Sequence, residues 1–100
     1  MDLEVGQLVS SKAGRDAGAK YIVIKKLDDN CVLVADGKKR KISHAKKKNV
    51  KHLVAHRQIA TDIAQTINEK RKLTNQQLRL TIAALNDGEE DREEGLSDNG

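Results

Sequence analysis

The sequence predicts a mainly β domain, a small five-stranded barrel, followed by a helical hairpin. The first half of the chain carries short runs of Val, Ile and Leu separated by Gly and Asp turns, a pattern typical of antiparallel strands. The second half carries isoleucines four residues apart, which is typical of a helix. With 100 residues, 37% of them apolar, the chain has material for one modest core and not for two independent domains.

Five strands are predicted in the barrel, which we place at residues 1–55. The strands are residues 7–11, 21–27, 31–35, 40–42 and 50–54. Gly14 and Gly18 suit a tight loop between the first two, because glycine readily adopts positive φ. Asp36-Gly37 is a strong hairpin signal after the third strand.

Residues 56–86 are predicted to form the helical hairpin. Thr74 and Gln77 have the spacing of a capping box that opens the second helix, and Asp87-Gly88 is the expected stop. The side chains expected to face inward are Ile59, Ile63 and Ile67 in the first helix and Leu78, Ile82 and Leu85 in the second.

The second predicted strand is apolar on both of its faces. Tyr21 and Val23 point to one side, and Ile22 and Ile24 point to the other. One face fills the barrel, so the other needs a cover. The helical hairpin is the expected cover, and an oligomer or partner surface is the alternative.

Charge is divided unevenly along the chain. The net charge is +8 over residues 1–57, +2 over residues 58–85 and −6 over residues 86–100. A basic body indicates a polyanionic partner. Residues 87–100 are expected to be a disordered acidic tail, which either keeps the protein soluble or folds back on the basic surface and competes with nucleic acid.

The basic residues suggest binding to RNA phosphates. Lysine predominates over arginine among them, which favours phosphate contacts over the reading of base edges. With one aromatic residue, Tyr21, the chain lacks stacking platforms for single strands, so structured RNA is the expected partner. The candidate RNA-binding residues are Lys12, Arg15, Lys20, Lys38, Lys39, Arg40, Lys41, Lys46, Lys47, Lys48, Lys51 and His52.

The sequence does not suggest an enzyme, a cofactor, a metal site or a small-molecule substrate. The three histidines, His44, His52 and His56, come without a third ligand at suitable spacing and without an acid placed to orient an imidazole. Cys31 is the only cysteine, which fits a reducing cytoplasm. No run approaches the roughly 18 apolar residues of a membrane span, so a cytoplasmic protein is expected.

Residues 6–24 resemble the KOW motif, a strand, glycine-containing loop and strand of ribosomal proteins and transcription elongation factors. With Asp16 in the loop and Asp36-Gly37 after the third strand, the chain looks most like short bacterial KOW-domain RNA-binding proteins, related to a large-subunit ribosomal protein family of archaea and eukaryotes. The resemblance implies an SH3-like barrel that contacts RNA, and association with rRNA of the large subunit. It also implies that four glycines shape loops, namely Gly6, Gly14, Gly18 and Gly37.

The resemblance covers about half of the chain and leaves the helical half unexplained. KOW modules of elongation factors also make a second function plausible, a protein-interaction adaptor that docks through its barrel or its helices. A ribosomal protein or factor is then a further expected partner, and the oligomeric state is left open.

Overall fold

A computed structural model describes residues 3–12 and 14–85. Its strands are β1 (Gln7–Ser11), β2 (Lys20–Lys26), β3 (Cys31–Ala35), β4 (Lys46–Asn49) and β5 (Leu53–Ile59). Helix α1 (Thr61–Asn68) follows, and then helix α2, whose described part covers residues 75–85. The predicted fold class, mainly β with two helices after the strands, is confirmed.

The five strands form one antiparallel sheet in the order β4-β3-β2-β1-β5. In the central register Val9 pairs with Tyr21, and Val23 pairs with Val34. The sheet is strongly curled. Lys48 Nζ on the edge strand β4 lies 3.2 Å from Ser11 Oγ on β1, although β1 is three strands away in the sheet. The curl gives the sheet a concave face and a convex face.

Two apolar clusters lie on the two faces of this sheet. The first cluster fills the concave side and contains Leu3, Val9, Tyr21, Val23, Val32, Val34 and Leu53. The second lies between the sheet and the helices and contains Leu8, Ile22, Ala35, Ala60, Ile63 and Leu78. The prediction that the helices cover the second apolar face of the sheet is therefore confirmed.

The predicted fourth strand is wrong. Arg40 closes a turn, since its carbonyl oxygen accepts hydrogen bonds from the backbone N–H groups of Asp36 and Gly37 at 2.9 and 3.1 Å, and a 3₁₀ turn follows at Ile42–His44. The strand that pairs with β3 is the polar segment Lys46–Asn49. An edge strand needs few apolar side chains, and lysines protect it from pairing with other chains, so apolar alternation could not reveal it.

The predicted fifth strand is misplaced. Residues 50–52 form a 3₁₀ turn, and β5 runs from Leu53 to Ile59. Ile59 therefore ends a strand and is 38% exposed, although the sequence placed it on the inward face of a helix. The isoleucine spacing was right for Ile63 and Ile67, which pack in the second cluster. The boundary between barrel and hairpin stays a prediction, and the acidic tail and its Asp87-Gly88 stop lie outside the described residues.

Thr74 caps α2 as the sequence predicts, but the side chain of Gln77 does not complete the predicted capping box. Thr74 Oγ1 accepts a hydrogen bond from the backbone N–H of Gln77 at 3.1 Å. The side-chain amide of Gln77 donates to Thr66 Oγ1 of α1 at 3.3 Å, so Gln77 also ties the two helices together. Leu78, Ile82 and Leu85 all contribute to the second cluster, as predicted.

Two glycines allow the helices to approach the sheet closely. A Cβ on Gly6, which has φ +92°, would lie 2.8 Å from the carbonyl oxygen of Ala60. A Cβ on Gly37, which has φ +78°, would overlap the carbonyl of Asn75 and lie 3.1 Å from the Cβ of Leu78. Any side chain at either position would push a helix away from the sheet.

Leu78 is expected to be a main contributor to the docking of α2, because it is fully buried against the sheet. Truncating Leu78→Ala should lower the free energy of unfolding by about 2–5 kcal/mol, measured by urea denaturation. Leu80→Ala on the same helix is the matched control, since Leu80 is 63% exposed. Its effect should stay within about 0.5 kcal/mol. Equal effects of the two truncations would contradict the docking of α2 on the sheet through Leu78.

Candidate nucleic-acid interface

The β1–β2 loop, residues 12–19, is built around the carboxylate of Asp16. This carboxylate accepts hydrogen bonds from Ser11 Oγ at 2.9 Å and from Tyr21 OH at 2.7 Å. Lys48 Nζ lies 3.2 Å from it, and Lys46 Nζ lies 3.6 Å from it. One side chain therefore links β1, β2 and β4 to the loop.

These contacts fix the charge of the cluster. Burial raises the pKa of Asp16, but hydrogen bonds from Tyr21 and Ser11 and the hydrogen bond and charge of Lys48 outweigh it, so the pKa lies well below its ordinary value. Burial and the hydrogen bond to Asp16 raise the pKa of Tyr21 to about 12. At neutral pH Asp16 is an anion that holds a neutral phenol and a lysine.

The backbone of the loop is folded tightly around this cluster. Gly14 has φ +87° and Gly18 has φ +86°. The backbone N–H of Ala17 donates to Gly14 O at 3.2 Å, and the backbone N–H of Gly18 donates to Ser11 O at 2.9 Å. Arg15 is thereby presented at the exposed tip of the loop.

The β3–β4 connection, residues 36–45, carries the second group of basic side chains. Asp36 Oδ1 accepts hydrogen bonds from the backbone N–H groups of Lys38 and Arg40, each at 2.8 Å, which shapes the turn. Helix α2 holds this connection from the side, because Asn75 Oδ1 accepts from the backbone N–H of Ile42 at 2.9 Å and Arg79 Nη1 donates to Gly37 O at 2.8 Å.

Two grooves bring the two loops together. The first groove, between the β1–β2 loop and the β3–β4 connection, is lined by Arg15, Lys39, Arg40 and Lys46 together with Asp16 and Asp36. The second groove runs between the same elements and α2, and its cationic residues are Lys20, Lys38 and Arg79. Asp36 belongs to both grooves, so they form one continuous surface. We call these seven cationic residues the basic surface.

The basic surface contains half of the candidate residues named from the sequence. Six of the twelve line the two grooves, namely Arg15, Lys20, Lys38, Lys39, Arg40 and Lys46. Lys12 and His52 lie next to each other elsewhere, because the backbone N–H of Lys12 donates to His52 O at 2.9 Å. Lys41 and Lys51 are exposed and line neither groove.

The three consecutive lysines of β4 do not share one role. Lys46 and Lys48 pair with Val34 and Val32, whose side chains fill the concave side, whereas Lys47 pairs with Leu33 and points to the opposite face. The side chain of Lys48 is only 11% exposed and is held by Asp16. The structure therefore gives Lys48 a structural partner, and we leave Lys47 and Lys48 out of the basic surface.

Arg79 belongs to this surface but is not among the candidate residues predicted from the sequence. It lies on α2, 42 residues from Gly37. In the sequence Arg79 follows Leu78, which is predicted to face inward. That position does not reveal that Arg79 contacts Gly37 across the groove.

The histidines make local contacts. His56 Nε2 lies 3.0 Å from Ser10 Oγ, and His44 Nδ1 lies 2.9 Å from Ser43 Oγ. Among residues 3–12 and 14–85, no three His, Cys, Asp or Glu side chains are close enough to hold a metal ion. Neither helix, over the part of the chain that the structure describes, is long and apolar enough to cross a membrane.

Two curated proteins resemble this chain, although no family model matches it. One is "Large ribosomal subunit protein eL14" of the archaeon Desulfurococcus amylolyticus, which is 41% identical over 51 residues. This match covers 51% of the chain and 53% of the archaeal protein, so the chain spans about half the length of that relative.

The other relative is "Putative ribosome-binding protein YbzG" of Bacillus subtilis, which is 32% identical over 71 residues. The match covers 71% of the chain and 96% of YbzG. The chain belongs to the YbzG family. Neither the YbzG family member nor the archaeal relative bears the name of an enzyme.

Asp16→Asn should destabilise the protein at pH 7 by about 1–3 kcal/mol, because it removes a charged hydrogen-bond acceptor. A carboxyl whose pKa is lowered by folding contributes stability above its unfolded pKa of about 4, and this contribution is lost as the pH falls towards its folded pKa. The difference between the wild-type protein and the variant should therefore shrink below about pH 4, in urea denaturation at several pH values.

Asp29→Asn is the matched control for this experiment, since Asp29 is exposed. Its effect on the free energy of unfolding should be within about 0.5 kcal/mol at pH 7. A difference between wild type and Asp16→Asn that stayed constant from pH 7 to pH 2 would show that the charge of Asp16 does not stabilise the fold.

Proposed function

We propose that this protein binds structured rRNA of the large ribosomal subunit through the basic surface. The observation that carries the proposal is the convergence of seven cationic side chains on two adjoining grooves, from the β1–β2 loop, β2, the β3–β4 connection, β4 and α2. Positively charged side chains that lie close together repel each other. A polyanionic ligand offsets this repulsion.

The chemistry of the surface favours phosphate over bases. Lysine ammonium groups act as point charges, and Arg15 and Arg40 add planar forks that bind phosphate oxygens in pairs. The single aromatic residue, Tyr21, is 5% exposed and donates its hydroxyl hydrogen to Asp16, so it offers no stacking platform. These features suit an RNA helix recognised by its backbone shape and its 2′-hydroxyls.

The relatives favour the ribosome as the source of this RNA. The archaeal relative is named as a large-subunit ribosomal protein, and YbzG is named as a ribosome-binding protein, qualified there as putative. The sheet order and the tight loop around Asp16 are consistent with an SH3-like barrel that carries a KOW motif, and we propose this classification for the strand half. Ribosome association also places the protein in the cytoplasm in this proposal.

The first test measures binding to a double-stranded RNA hairpin by fluorescence anisotropy at several salt concentrations. The triple variant Arg15→Gln, Lys38→Gln, Lys39→Gln should lose about 10- to 100-fold in affinity at low salt, because three phosphate contacts are removed. The slope of log affinity against log salt should fall by about 2–3. All three side chains are exposed, so the fold should stay intact.

The matched control removes the same charge elsewhere, with Lys25→Gln, Lys26→Gln and Lys70→Gln. These lysines are exposed, and Lys26 lies at the opposite end of β2 from Lys20. A strand of this length separates its ends by about 20 Å. The control should lose less than about threefold in affinity. Equal losses in the two triple variants would show that net charge matters and that the basic surface does not.

A second test asks whether the RNA is ribosomal. Tagged full-length protein should sediment with large-subunit particles in a sucrose gradient at low salt, leave them as the salt rises, and crosslink to rRNA. The triple variant should stay at the top of the gradient. Wild-type protein that sediments with the particles without crosslinking to RNA would refute the proposal and support an adaptor that docks on a protein.

A further inference from the structure

We infer that the acidic segment of residues 86–100 binds the basic surface when RNA is absent and competes with RNA for it. The segment carries seven carboxylates and one arginine in fifteen residues. Its acidic residues are Asp87, Glu89, Glu90, Asp91, Glu93, Glu94 and Asp98. The contact between the segment and the basic surface involves only this chain and needs no RNA. The competition with RNA rests on the proposed function.

Helix α2 lies beside the basic surface and leads directly into the acidic segment in the sequence. The helix begins beside the β3–β4 connection, where Asn75 binds Ile42. One turn later Arg79 binds Gly37, and one turn beyond that Ile82 and Ala83 line the second groove together with Lys20 and Lys38. The helix thus runs along the groove, and its last described residue, 85, is two positions past the groove lining.

The lengths of chain involved make the contact easy to form. From Ala83 to Asp87 is four residues, which span at most about 14 Å when fully extended. The whole segment of fifteen residues spans up to about 50 Å, enough to pass along both grooves. Attachment to α2 keeps the carboxylates near the basic surface at an effective concentration in the millimolar range.

Charge complementarity selects this surface over the rest of the protein. The two grooves collect seven cationic side chains against two carboxylates, Asp16 and Asp36. Those two carboxylates are already engaged, since Asp16 holds Lys48 and Asp36 holds backbone N–H groups of its own turn. At the other end of β2, the groove beside α1 mixes Lys26 with Glu4 and Glu69, so it offers no comparable excess of positive charge.

The contact and RNA binding exclude each other, because both use the same ammonium and guanidinium groups. An RNA helix brings a denser and more regular array of negative charge than the acidic segment, so it displaces the segment. The segment weakens contacts with short or weakly charged ligands more than contacts with an extended RNA surface. As a result, the acidic segment should lower the affinity for non-specific ligands more than the affinity for structured RNA.

Paramagnetic relaxation measured by NMR tests the contact without RNA. A spin label is placed on Ser97→Cys in a Cys31→Ala background, which leaves a single thiol. Backbone amide signals of Arg15 and Lys38 should broaden, while those of Lys26 and Asn68 should not. The matched control carries the same label with all seven acidic residues changed to Asn or Gln, and it should lose the broadening at Arg15 and Lys38.

Salt provides a second control, since exposed charges are screened within about 4–5 Å near 0.5 M salt. The broadening should disappear in 0.5 M NaCl. Broadening that is absent, or that persists after neutralisation of the acidic residues, would overturn the contact.

Competition is tested with the double-stranded RNA hairpin. Neutralising the seven acidic residues should raise RNA affinity about tenfold at low salt, and the gain should shrink at high salt. Adding the hairpin to the labelled protein should restore the amide signals of Arg15 and Lys38. If RNA binds but leaves those signals broadened, competition is refuted. If neither version binds RNA, the proposed function and the competition fail together, while the broadening still decides the contact.

Discussion

The carboxylate of Asp16 is the interaction on which the basic surface depends. It is a partly buried anion that accepts hydrogen bonds from Ser11 and Tyr21 and pairs with a lysine of β4, so it joins three strands and the loop that carries it. Hydrogen bonds from these partners and the charge of Lys48 outweigh its desolvation, so the pKa of Asp16 lies below its ordinary value. Lys48 neutralises this carboxylate, whereas Arg15, Lys38 and Lys39 are exposed nearby.

The second constraint is the two-faced sheet. A strand with apolar side chains on both faces cannot be left half covered, and the helices supply the missing layer through Ile63 and Leu78. The same packing has a second consequence, because Asn75 and Arg79 of α2 hold the β3–β4 connection. The helical half therefore positions the basic side chains of the strand half. This explains why glycine is found at position 37, where a Cβ would overlap the carbonyl of Asn75 in α2.

The lysines of this protein divide into those that build the fold and those that remain available. Lys48 forms an ion pair with Asp16, and Lys46 lies slightly farther from the same carboxylate. Lys38 and Lys39 are exposed on a turn that Asp36 shapes. Residues 86–100, which follow α2 in the sequence, carry a net negative charge that is opposite to the charge of the basic surface.

The sequence by itself determined the fold class, the first three strands, the two-faced sheet and the inward residues of the helices, because apolar periodicity and glycine turns record local geometry and burial. It placed the fourth strand wrongly and Ile59 on a helix, because edge strands such as β4 and β5 are only partly buried and lack that periodicity. It found six residues of the basic surface from their clustering. Only the tertiary structure showed that Lys48 is bound to Asp16 and that Arg79 completes the second groove, because contacts across 32 and 42 residues depend on how the chain folds.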